Sequence, residues 1–301
     1  MIKNKRYSIT ALVMIISIIL LLNGCGLQAT GFETYNSQRA PGADKVITDG
    51  ELKVIFLNIG QGNSQLIITK NGKNMLIDGG DNGKEEQLFE YLKEYNVKKI
   101  DVLIASHGHS DHIGTLPETI DKFEIGSIYM PKATNNTKTF EALLVSIKNK
   151  GLKVNTAKIG VTIPLDEGVL VDLLGPVNTY DNLNDTSAVV KVSYGESSFL
   201  FPGDAEHNSE QDMLKSNIDL SADVLAVSHH GSNTSSSMEL LKKVKPQYGI
   251  IQVGEENRYG HPTDNTLKRL KDMNIKTLRT DLNGTITFIT DGKTIEVSTT
   301  K

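Results

Sequence analysis

The stretch Asp101-Val-Leu-Ile-Ala-Ser-His-Gly-His-Ser-Asp-His112 decides how this chain is read. Its first half is a short apolar run of the kind that forms a buried strand. Its second half packs three imidazoles and a carboxylate into six residues, His107-Gly108-His109-Ser110-Asp111-His112. Such groups cannot all enter a core, because buried polar atoms need partners. A loop with glycine at its second position can turn these side chains inward around cations. Neutral imidazole with carboxylate suits zinc, manganese or iron. A solvated histidine-rich turn is the plainer alternative, and placement directly after a buried strand argues against it.

A near-repeat lies downstream, Asp223-Val-Leu-Ala-Val-Ser-His-His-Gly-Ser-Asn-Thr234. Aligned without a gap, His107 falls opposite His229. The flanking segments repeat as well. In the first half, Val54–Leu57 reads as a strand. Gln65–Thr69 and Asn74–Ile77 form a hairpin across Asn71-Gly72, which ends at Asp78-Gly79-Gly80. A helix carrying Leu88, Tyr91, Leu92 and Tyr95 on one face leads into Val102–Ala105. In the second half, Val169–Leu174 is a strand. Ala188–Val192 and Ser198–Phe201 form a hairpin across Tyr194-Gly195, and Gly203-Asp204 closes it. A helix around Glu210–Leu214 then leads into Val224–Val227. Two related half-domains of this kind predict an α/β helix–sheet–sheet–helix sandwich. Its ligands should gather beyond the strand ends. Six of the seven histidines lie in loops after predicted strands, and only His207 falls on a predicted helix.

The N-terminus has a different character. Lys3, Lys5 and Arg6 precede an uncharged run from Ile9 to Leu22, and Cys25 follows Asn23-Gly24. The run is short for a spanning helix, which needs about 20 apolar residues, and it matches an export signal. Cys25, the sole cysteine, rules out an intrachain disulfide. Its setting resembles the lipobox of bacterial lipoproteins, although Asn23 is an unusual residue there; an uncleaved signal anchor is the alternative. The expected organisation is a lipoprotein signal peptide over 1–24, a polar tether over 25–50 and a hydrolase domain over 51–301. Lipidated Cys25 would tether that domain to the outer face of a bacterial membrane. Formal net charge is −4, and −7 without residues 1–24, which gives no general attraction for phosphate backbones. No obligate protein partner is evident in the sequence.

The His-x-His-x-Asp-His segment after a strand resembles the metallo-β-lactamase superfamily. The wider pattern resembles its ComEC-type branch, the hydrolase domain of competence proteins. The matching pieces are Ile59–Ser64, Asp78-Gly79-Gly80, Ser106–Gly114, Asn184–Ser187, Pro202-Gly203-Asp204, Ser228–Ser232 and Tyr259–Pro262. Asn58 and Asn63 stand where that branch often has aspartate. No histidine occurs between His112 and His207, where most members place a third ligand for the first ion. The resemblance implies two divalent ions, zinc or manganese. His107, His109 and His229 would hold one, and Asp111, His112 and His261 the other, with Asp204 bridging. Asp185 is the alternative to His229. His230 is either a ligand or a substrate-facing group, and Asp78 a buttress for the histidine loop. Asp111, Asp204 and His230 are the candidate catalytic groups, around a metal-bridging hydroxide.

The same resemblance implies a phosphodiesterase or nuclease acting on DNA. An esterase acting on an envelope phosphodiester, such as the phosphorylcholine of teichoic acids, is the alternative. A lipoprotein that binds metal or a wall component without turnover is a third possibility.

Overall fold

Apolar runs with both faces buried become central strands, and the computed structural model describes residues 50–301 of the chain. The expected signal peptide and all but the last residue of the expected tether lie outside the described residues. Among the described residues no helix is long and apolar enough to cross a membrane.

In chain order the first-half strands are β1 (Leu52–Phe56), β2 (Gln65–Ile68), β3 (Asn74–Ile77), β4 (Lys99–Ile104), β5 (Glu124–Pro131) and β6 (Val154–Ala157). The second half supplies β7 (Val161–Asp166), β8 (Val169–Gly175), β9 (Val189–Tyr194), β10 (Ser197–Phe201), β11 (Val224–Ala226), β12 (Tyr248–Ile251) and β13 (Lys276–Arg279). The closing hairpin is β14 (Ile286–Thr290) and β15 (Ile295–Thr299). An eight-stranded sheet has the order β15-β14-β1-β2-β3-β4-β5-β6, and a seven-stranded sheet the order β13-β12-β11-β10-β9-β8-β7.

The internal repeat is visible in the pairing. β1, β2 and β3 run antiparallel in turn, then β4 and β5 add parallel. β8, β9 and β10 run antiparallel in turn, then β11 and β12 add parallel. The two hairpin glycines adopt the left-handed conformation their turns require, Gly72 at φ +75° and Gly195 at φ +60°.

Alternation along β1 sends Val54 and Phe56 into the core between the sheets, while Ile55 faces the helical layer outside. Phe56 and Phe201 meet across the two sheets at 5.8 Å between centroids. On the outer face of the first sheet lie α1 (Glu85–Glu94), α2 (Ser110–Ile113), α3 (Leu116–Lys122) and α4 (Lys138–Asn149). The second sheet is covered by α5 (His207–Lys215), α6 (Met238–Val244) and α7 (Asp264–Asp272), and the short α8 (Thr280–Asn283) follows β13. The architecture is therefore an α/β sandwich of two mixed sheets flanked by helices.

Thr263 caps α7 through the Thr266 amide, and Ser237 caps α6 through the Leu240 amide. Along α4, Phe140, Leu143 and Ile147 are buried against the first sheet, whereas Leu144 is 44% exposed.

Candidate metal centre

Six of the seven histidines converge where β4, β10, β11 and β12 end. The first contribution is the loop after β4. Asp78, at the end of β3, is buried and sits at φ +58°. Its Oδ1 accepts from the Ser106 amide at 2.7 Å, and its Oδ2 from the Ser106 hydroxyl at 2.6 Å. The same Oδ2 lies 2.8 Å from His112 Nδ1. Donation from Nδ1 to the carboxylate leaves the His112 Nε2 lone pair facing the centre. Asp78 is thus a buttress and not one of the converging donors. A glycine is required at 62, because a Cβ there would stand 2.2 Å from the Asp111 carbonyl oxygen. The Asn63 amide donates to that same oxygen at 3.1 Å.

The second half supplies Asp204, His229 and His230. Gly203 turns at φ +56° and delivers the buried Asp204 carboxylate between the histidines. Asp204 Oδ1 lies 3.2 Å from His112 Nε2. Its Oδ2 lies 3.7 Å from His107 Nε2 and 3.8 Å from both His229 Nε2 and His230 Nε2. Two sets of donors converge closely enough to hold a cation, Asp111–His112–Asp204–His230 and His107–His109–Asp204. Asp204 belongs to both.

His229 and His230 are consecutive left-handed residues, at φ +51° and +53°. That backbone costs about 1–2 kcal/mol per residue, and such strain concentrates at functional sites. His230 Nδ1 donates to the Gln252 carbonyl at 2.9 Å, which directs Nε2 into the centre, 3.1 Å from Asp111 Oδ2. Gln252 is itself fixed, donating through Nε2 to the Leu57 and Ser64 carbonyls at 3.0 and 2.9 Å. It thereby ties the end of β12 to the β1–β2 edge.

Four residues stand differently from the expected ligand sets. His261 lies outside both converging groups, with its ring 6.4 Å from His230 and 5.4 Å from His229. His230 occupies the position beside Asp111 and His112. His229 touches Asp204 but joins neither group; its Nδ1 lies 3.0 Å from Glu206 Oε1. Asp185 is turned to another task. Its Oδ1 accepts from the Glu206 and Ser209 amides at 3.1 Å each, which caps the start of α5.

Glu206 is the partner the sequence reading missed. Its carboxylate also accepts from Asn182, Asn184 and Thr234 at 2.6, 3.2 and 2.7 Å. The signal was the Asn184–Ser187 motif, whose members hold Glu206, the α5 start and the Asp204 amide.

The donor set fits metal. His112 Nε2 and Asp204 Oδ1 are buried without a hydrogen-bond partner, although they face each other. Such orphaned atoms are costly unless something else satisfies them. Without metal, burial alone would raise the Asp204 carboxyl, yet the imidazoles of His112 and His230 hold it well below the usual carboxylate range. Burial lowers His112, but the Asp204 and Asp78 carboxylates outweigh it and raise that imidazole. Burial and the neighbouring His112 push His107 well down.

Residues 57–255 match the family model of the metallo-β-lactamase superfamily. The chain belongs to the metallo-β-lactamase superfamily. It is 29% identical over 258 residues to ComE operon protein 3 of Bacillus subtilis, covering 80% of this chain and 33% of that protein. It is 30% identical over 281 residues to competence protein ComA of Neisseria gonorrhoeae, covering 90% of this chain and 37% of that protein. The chain therefore spans about a third of the length of the curated relatives it matches. Among solved structures, Igni18, a metallo hydrolase of Ignicoccus hospitalis, superposes with a TM-score of 0.54 at 17% identity. That match covers 78% of this chain and 98% of Igni18, and supports the superfamily fold. The molecule has a metallo-β-lactamase fold with a His/Asp metal site and is related to competence proteins.

Proposed function

We propose that this protein is a two-metal phosphodiesterase acting on nucleic acid outside the cytoplasm, tethered to a bacterial membrane through lipidated Cys25. The observation that carries the reading is the sharing of Asp204 between two converging donor sets. Zinc or manganese would be held by His107, His109 and Asp204 on one side, and by Asp111, His112, Asp204 and His230 on the other. When bound, such a pair supplies Lewis-acid charge and activates water at neutral pH.

The chain's own residues prepare the site. Asp78 and the Gln252 carbonyl fix which nitrogen of His112 and His230 faces inward. Glu206 holds His229 at the rim of the centre. The serines that precede the two histidine loops are engaged: Ser228 and Ser106 spend their hydroxyls on the Gly203 and Ala205 carbonyls and on Asp78.

The competence relatives, matched over 80–90% of this chain, support a nucleic-acid substrate. The basic N-terminal residues and Cys25 support export and lipidation. A net charge of −7 without residues 1–24 favours a small or isolated diester over a long polyanion, so an envelope phosphodiester is the competing substrate.

The test is side-by-side digestion of single-stranded DNA and phosphorylcholine esters with manganese or zinc, alongside the Asp204→Asn variant. Strand cleavage that disappears in the variant supports the proposal. Cleavage of the choline ester alone would move the substrate to the envelope, and metal binding without any turnover would leave a binding protein.

A further inference from the structure

Among the phenylalanines and tyrosines of the described residues, Tyr259 is the exposed one, at 56%, on the loop between β12 and α7. This loop is held from within. Asn257 Nδ2 donates to the His261 carbonyl at 2.7 Å, and Asn257 Oδ1 accepts from the amides of His261 and Tyr259 at 3.0 and 3.2 Å. Both ends are pinned as well. Gly254 packs so closely on the Gln61 amide that a Cβ would stand 2.8 Å from it. The Thr263 amide donates to the Gly231 carbonyl at 3.0 Å, directly after His229-His230.

The exposed ring is therefore presented in a fixed place relative to the metal centre. The Tyr259 and His261 rings are near parallel, 6.0 Å apart at 26°. His261 is in turn 6.4 Å from the His230 ring, again at 26°. The Arg258 guanidinium stands 5.7 Å from the Tyr259 centroid. An aromatic face for a base with a cation for the adjoining phosphate is the combination that recognises single strands without reading their sequence.

Two nearby cations are engaged elsewhere. Arg269 is spent on Asn233, the Ser235 carbonyl and Thr266, and Lys268 pairs with Asp272.

We propose that Tyr259 and Arg258 form a base-and-phosphate subsite that selects single-stranded nucleic acid for this centre. A nucleobase beside the reacting diester lies on the Tyr259 ring, and its neighbouring phosphate meets Arg258. The subsite deepens the phosphodiesterase reading and rests on it for turnover, whereas binding can be read without turnover.

The experiment uses the full chain and two labelled strands of equal length, one of thymidine nucleotides and one abasic. Fluorescence anisotropy is recorded with chelator present, and cleavage kinetics with manganese. Tyr259→Ala should weaken binding of the thymidine strand by about tenfold to a hundredfold, the size of one lost base–aromatic stack. Tyr259→Trp should restore it, and the abasic strand, having nothing to stack, should bind wild type and Tyr259→Ala alike. In the kinetic arm the loss should appear in KM and not in kcat. Equal weakening of both strands, no weakening of either, or a wild type that binds neither would overturn the subsite. Base-selective binding without cleavage would instead retain the subsite and sink the phosphodiesterase reading.

Discussion

Asp78 orders the centre without joining either set of converging donors. Replacing it with alanine strands the Ser106 amide and His112 Nδ1, both buried, and leaves the Ser106 hydroxyl to find another partner. Each orphaned buried donor costs about 1–3 kcal/mol, so two give roughly 2–6 kcal/mol. The position also sits at φ +58°, where alanine adds about 1–2 kcal/mol of strain that aspartate and asparagine tolerate better. A loss of about 3–8 kcal/mol is expected, out of a total that for a domain is commonly about 5–15 kcal/mol. Urea unfolding of the metal-free protein measures it as a fall in midpoint at constant slope.

Asp78→Asn separates stability from chemistry. Its amide oxygen can still accept from Ser106, and its backbone fits, but its NH₂ group would face His112 Nδ1. The imidazole would then carry its proton on Nε2, the atom that faces Asp204. A variant that stays folded and binds zinc about 10- to 100-fold more weakly, by isothermal titration, is the expected result. Wild-type zinc affinity in Asp78→Asn, or a loss under about 1 kcal/mol in Asp78→Ala, would refute the reasoning.

Three further outcomes follow from the same geometry. Gly62→Ala should displace Asp111, because its Cβ would meet the Asp111 carbonyl oxygen at 2.2 Å; reduced metal content by elemental analysis and a lowered Tm check this. Glu206→Gln should free His229 from its carboxylate partner while retaining the fold. Zinc affinity should change less than in Asp78→Asn, while cleavage falls by an order of magnitude or more. His261 in the metal-free protein should titrate at about 4, lowered by burial and then by His229 and His230. Because its folded value is depressed, the stability it contributes is complete above the unfolded value of about 6.5. That contribution is lost as pH falls from there through about 4. Imidazole NMR shifts that move near 6.5 would contradict the packing described.

The fold was legible wherever a local rule speaks. Asn71-Gly72 and Tyr194-Gly195 mark hairpins by turn chemistry, and the two apolar runs ending in serine and histidine mark equivalent strands of two sheets. β5, β6, β7, β12 and β13 carry no comparable local signal. Val161–Asp166 contains Pro164 and pairs on one side only, at a sheet edge, so its pattern is weak. Lys276–Arg279 is the opposite edge and half-exposed. At the centre, the histidine loop and Asp204 were visible because spacing and a preceding glycine announce them. Glu206 was not, since its partners Asn182, Asn184, His229 and Thr234 are distant in sequence and meet only when β10 and β11 lie side by side.

The gapless alignment that sets His107 opposite His229 shows how sequence symmetry and site geometry part company. After β4 the chain passes into α2, where Asp111 and His112 follow one another on ordinary helical backbone. After β11 the chain instead makes two left-handed residues in succession, His229 and His230. The turn reverses which side chain faces inward, so that His230 reaches Asp111 at 3.1 Å while His229 swings toward Glu206. Several hydrogen bonds offset the cost of that backbone: the His229 amide to the Gly203 carbonyl at 3.2 Å, the Ser232 amide to the His229 carbonyl at 2.8 Å, and His230 Nδ1 to Gln252. A duplicated scaffold thus supplies two strand ends to one rim, and the broken symmetry of the second loop lets one half present converging donors while the other presents Asp204, His230 and a separately held imidazole. Two copies of the His107 loop would crowd the same positions with like groups; the left-handed turn divides the labour between them.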